Sequence, residues 1–151
     1  MWYRVFGTSE VNPEPAALLE HLHQLGLDTT AQFGGDAQGW FRARFTLNDP
    51  PATVLLERYL ATEEGIRHEL NTWAAWLETL EEDPNQGQLL RHVAGATQLF
   101  TLEQNPDLED TEEVEQLCLG LCQWLARATA GVYQVDNQGF FGPDGTLLLP
   151  E

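Results

Sequence analysis

Apolar and polar positions alternate along this chain with two periods, and the changes between them mark out its elements. The opening WYRVFGT is aromatic and β-branched and predicts a strand over Trp2–Thr8. In VNPEPAALLEHLHQLG the residues Leu18, Leu19, Leu22 and Leu25 fall on one helical stripe, with Asn12 as the expected cap and Gly26 as the left-handed stop. Strands are then expected over Thr29–Phe33 and Trp40–Leu47, joined by the turn-rich GGDAQG, and again over Thr53–Leu60.

The longest predicted helix begins at Thr62, and its Ile66, Leu70, Trp73, Leu77 and Leu80 form the buried face. A short helical turn over Leu89–Ala94 and a strand over Thr97–Leu102 follow. A third helix opens at Asp110 or Thr111, carries the core stripe Val114, Leu117, Leu121, Leu125 and Ala128, and ends with Gly131 in the left-handed position. The tail reads as a three-stranded meander: VYQV, a DNQG turn, GFF, a PDG turn, and TLLL. Each Gly and Asp in that tail has a turn duty, so the segment is read as scaffold, with at least one of Phe140 and Phe141 entering the core.

These elements predict an α+β fold, a mostly antiparallel sheet with about three helices packed on one face, in a single domain over residues 1–151. Their order also reads as two βαβββ-like halves. A paired βαβββ order resembles the glyoxalase-like, vicinal-oxygen-chelate architecture, which would imply a sheet-face pocket for a small molecule. The metal ligands that such a resemblance calls for are not evident in the sequence.

Charge narrows the function classes. The chain has 24 acidic against 7 basic residues, a formal net charge of -17, and no lysine. Nucleic acid and anionic membrane are disfavoured as partners, because phosphate recognition relies on neutralising cations. The charge either serves solubility alone or attracts a basic protein as partner. No apolar run reaches the roughly 20 residues of a membrane span, and no leader pattern opens the chain, so a cytoplasmic location is expected. Without lysine there is no Walker A loop or Schiff-base nucleophile. Ser9, the only serine, sits in no nucleophile elbow. The lack of Lys beside Arg, Ala, Leu and Gly fits a GC-rich bacterial genome.

The candidate chemistry is sparse. His21 and His23 lie about 200° apart on one helix, and no His, Cys or carboxylate group has metal-ligand spacing, so neither metal nor cofactor is expected. Cys118 and Cys122 sit mid-helix, away from any activating cation, and read as core or boundary residues. In GWFRARFTL strict alternation puts Phe41, Ala43, Phe45 and Leu47 on one side and Trp40, Arg42 and Arg44 on the other. Two guanidiniums beside an indole could hold a carboxylate or phosphate, or pair with the chain's own acids. Seven acidic residues lie between Glu103 and Glu115, and Glu109, Glu112 and Glu113 are the expected contacts for a basic partner. The leading expectation is a non-catalytic binding or regulatory protein. The alternative is a small-molecule binder or enzyme using the Trp40, Arg42 and Arg44 face.

Overall fold

The computed structural model describes residues 1–48, 51–80, 82–104 and 111–151. The element order is β1 (Trp2–Gly7), α1 (Pro15–Gln24), β2 (Thr29–Asp36), β3 (Gly39–Asn48), β4 (Pro51–Leu60), α2 (Ile66–Glu78), α3 (Gln86–Ala94), β5 (Gln98–Glu103), α4 (Glu112–Ala128), β6 (Val132–Val135), β7 (Gly139–Phe141) and β8 (Leu147–Pro150). The eight strands form one sheet in the order β2-β3-β4-β5-β1-β6-β7-β8, and every neighbouring pair is antiparallel. The fold is α+β, as its strand and helix patterns predict. No helix among the described residues is long and apolar enough to cross a membrane.

Two expectations about the helices are corrected. Four helices form among the described residues, because the expected turn near Leu89 is a full helix, α3, with Leu89 and Val93 buried. They also cover both faces of the sheet. Alternation along β1 sends Tyr3 and Val5 into a core with Leu18 and Leu22 of α1 and Leu117, Leu121 and Leu125 of α4. Phe6 points the other way, into a second core with Leu70 and Leu77 of α2 and Leu89 and Val93 of α3. A central strand with apolar residues on both sides needs a cover on both sides.

The two βαβββ-like halves exist in chain order, as β1-α1-β2-β3-β4 and β5-α4-β6-β7-β8 with α2 and α3 between them. Their strands are laid down differently. In the first half the strand after the helix goes to the sheet edge and the meander returns to place β4 against β5. In the second, β6 pairs directly with β1 and the meander runs outward to β8.

Helix ends follow local sterics more than simple cap rules. Thr111 does cap α4, accepting from the Val114 N–H at 3.3 Å, whereas Asp110 lies outside the described residues. Before α1 the cap position is Glu14, without a side-chain bond, and Pro15 follows it; the expected Asn12 lies against Gly39 instead. Helix α2 starts after Gly65, whose φ of 84° turns the chain into it, so Thr62 stays outside. At the end of α4 the left-handed residue is Ala130, φ 53°, and not Gly131. Gly131 is needed for a different reason: a Cβ there would overlap the carbonyl oxygen of Phe6.

Candidate binding surface

Helices α1 and α4 cover one face of β2 to β5, through Ala43, Phe45, Leu47, Val54, Leu56, Phe100 and Leu102. The opposite face of the same strands carries Gln32, Arg42, Arg44, Thr53, Leu55 and Glu103, all exposed, while α2 and α3 pack over the other half of the sheet. Among the described residues no helix packs over this area, a patch of sheet with its side chains in register.

Strand pairing sets those side chains in rows. One row runs Gln32, Arg44, Leu55, Glu103, Trp2 across β2, β3, β4, β5 and β1. The next runs Gly34, Arg42, Glu57, Thr101, Arg4 over the same strands. Beside them Thr30, Thr46 and Thr53 form a shorter row. Positive charge thus stands on β3 and negative charge on β4 and β5. Two shallow depressions meet at Arg44. One, of about 380 Å³, is walled by Trp2, Leu55, Glu57 and Glu103. The other, of about 250 Å³, is lined by Thr30, Gln32, Thr46 and Thr53 with no carboxylate.

Trp40 does not belong to this surface. Gly34 pairs with Arg42 and Gly35 with Trp40, so Phe41 is an extra residue opposite nothing, a β-bulge. One inserted residue reverses the facing of everything before it. Trp40 is consequently on the core side, 6% exposed, with its Nε1–H donating to the Pro13 carbonyl at 2.8 Å and its ring against Phe33 and Phe100. Arg42 and Arg44 keep their expected side. Among the described residues neither has a carboxylate within 4.0 Å, so the alternative of internal pairing is not what the structure adopts.

Arg4 shares the face but is already engaged. Its Nη1 donates to Gln134 Oε1 and Asp136 Oδ1, both at 2.8 Å, and its guanidinium lies 5.0 Å from the Trp73 ring centre. Burial opposes ionisation of Asp136, but hydrogen bonds from Arg4, Gln134 and the Trp2 N–H outweigh it and hold the carboxyl below its usual value. A depressed folded pKa means stability that is present above the ordinary aspartate pKa of ~3.9 and lost as pH falls through the folded value. Urea unfolding of wild type and Asp136→Asn should therefore differ at pH 7, and the gap should shrink as pH falls below the ordinary aspartate range and through the depressed Asp136 value; a gap independent of pH would rule out this linkage.

The remaining candidates fall elsewhere. Glu103 is exposed at the end of β5, and Glu112 and Glu113 are exposed in the first turn of α4; Glu109 lies outside the described residues. Cys118 and Cys122 are fully buried, and burial, with Cys118 adjacent, pushes the Cys122 thiol well above the usual thiol range. His23 Nε2 is 2.8 Å from the Thr29 carbonyl oxygen. Among the described residues no group of three or more His, Cys, Asp or Glu is placed to hold a metal ion. Tyr59, at the inner border of the open face, was not anticipated as a site residue. Its hydroxyl donates to Glu57 Oε2 at 2.7 Å, and burial together with that carboxylate pushes its pKa up to about 12. Alternation along β4 puts Tyr59 on the same side as Leu55 and Glu57, a signal present in the sequence, but only strand pairing shows that this side is the open face.

No family model, curated protein or solved structure matches the chain.

Proposed function

We propose that this is a non-catalytic binding protein that engages a basic macromolecular partner through the open half of its sheet. The observation that carries the reading is the uncovered face of β2 to β5, where Trp2, Leu55, Arg42 and Arg44 are exposed and the two arginines are unpaired among the described residues. Trp, Tyr and Arg are the residue types that dominate binding energy at protein interfaces. The net charge of -17 supplies the sign of the partner, with Glu103, Glu112 and Glu113 exposed to add local field. A small-molecule site on the same face is the second reading, supported by the smaller depression on one side of Arg44, which no carboxylate lines.

A photo-crosslinker at Thr53 or Leu55 should capture a macromolecule of net positive charge, in a yield that falls as salt is raised toward a Debye length of roughly 8 Å. The same group at Glu20 on α1 should capture little. A negatively charged adduct, or equal capture at Glu20, defeats the reading. Changing Glu103, Glu112 and Glu113 to Gln should slow association with that partner and leave the melting temperature close to wild type.

A further inference from the structure

The open face has a basic and an acidic column between which no ion pair within 4.0 Å forms among the described residues, although Arg42 stands opposite Glu57. Arg42 and Arg44 stand on β3, Glu57 on β4 and Glu103 on β5. Arg44 and Glu103 share a row with Leu55 between them, and at about 4.8 Å per strand their backbones are roughly 10 Å apart. Arg44 stands on the boundary between the two depressions, and the carboxylates line only the larger one. Around Glu103 and Glu57 the wall is the indole of Trp2 and the side chain of Leu55, 38% and 37% exposed. Around Arg44 the wall is three threonine hydroxyls and the Gln32 amide.

We infer that the face is read by a partner segment carrying opposite charges, with a cationic side chain over Trp2, Glu57 and Glu103 and a carboxylate over Arg44. This rests on the binding-protein reading and adds the chemistry of the segment. An arginine or lysine stem can lie along Trp2 and Leu55 while its head meets the carboxylates. A carboxylate over Arg44 meets a planar donor fork flanked by hydroxyls. A purely basic segment would put a cation against Arg44 as well. A purely acidic one would face Glu57 and Glu103 in the field of a -17 body.

A second copy of the chain fits poorly. A twofold axis along β4, the arrangement that sets Arg44 over the other copy's Glu103, also sets Glu57 over Glu57. Four strands by about five residues offer roughly 300 Å² of flat face per copy, from strand spacing and rise, against about 800 Å² per partner in a standard interface. Two bodies of charge -17 would also have to approach.

The probes are blocked peptides of Gly and Ser containing one Arg and one Asp two residues apart, with the Asp replaced by Asn or the Arg by Gln as controls. The readouts are the Arg44 Nε–H and Trp2 indole N–H signals in NMR titrations of the whole protein. The doubly charged peptide should move both signals saturably. Affinity should fall about tenfold with either control peptide, and about tenfold in Arg44→Gln or Glu103→Gln, exposed changes that leave the fold in place, from loss of one charge-assisted bond. If the Arg-only peptide binds equally well and Arg44 stays unmoved, the inference fails while a basic partner remains. If no peptide moves either signal, or sedimentation shows that the face is closed by a second copy, the inference also fails. Loss of capture at Leu55 is the separate result that removes the binding-protein reading.

Discussion

Replacing Phe140 by Ala is expected to destabilise the protein by about 3–5 kcal/mol, the range for a buried phenylalanine. Phe140 is fully buried on β7. Its ring centre lies 5.9 Å from Phe6, 5.8 Å from Trp73 and 6.1 Å from Trp76, so it joins a central strand, an edge meander and helix α2 in one aromatic cluster. Trp76 is partly exposed and α2 contributes few fully buried residues, so the helix has little else to hold it. Thermal or urea unfolding measures the loss, and near-ultraviolet dichroism should report the disturbed Trp73 and Trp76. Phe141, half-buried and stacked on Tyr133 at 5.1 Å, should cost less when changed in the same way. Equal losses at the two positions, or a loss at Phe140 under about 1 kcal/mol, would mean that the cluster is not organised around that ring.

Arg58→Met is expected to cost about 2–4 kcal/mol, from two buried acceptors left without a donor at about 1–3 kcal/mol each, less the relief of a buried charge. Arg58 is 6% exposed, and burial lowers its pKa against the pull of Glu63 and Asp36. Its Nε donates to Gln98 Oε1 at 2.8 Å and its Nη1 to the Trp40 carbonyl at 3.0 Å. Gln98 in turn donates through Nε2 to the carbonyls of Ser9 and Val11, at 2.6 and 2.8 Å. One guanidinium therefore ties the segment before α1 to β3, β4 and β5. A double-mutant cycle with Gln98→Leu should show strong coupling, because each change strands the other's polar atoms. Strictly additive losses would mean that the network does not act as a unit.

Much of the fold can be read from hydrophobic period alone. The strand over Thr53 to Leu60, the stripe Val114, Leu117, Leu121 and Leu125, and the turn chemistry around Asn137 and Asp144 all appear at or close to their predicted places. These are local signals, in which burial of one side repeats every 2 or 3.6 residues. The candidate site was only half legible. Arg42 and Arg44 share their expected exposed side because β3 is regular from Arg42 onward. Trp40 does not, because a bulge at Phe41 has no sequence mark that alternation can detect. Leu55 and Glu57 stand beside Arg44 and Arg42 through the β3–β4 hairpin, whereas Glu103 and Trp2 join that row only through pairing of strands far apart in the chain.

By itself the sequence determined the α+β class, most strand and helix positions and the negative field, since each depends on residue type and spacing over a few turns or on simple composition. Strand order, the split of four helices between two faces, and the open patch on β2 to β5 were decided by tertiary structure alone. The physical reason is that an amphipathic element specifies which of its sides must be covered but not by what. The cover for Phe6 comes from Leu70 and Leu89, many residues away, and no comparable apolar stripe remains to cover the row from Gln32 to Glu103.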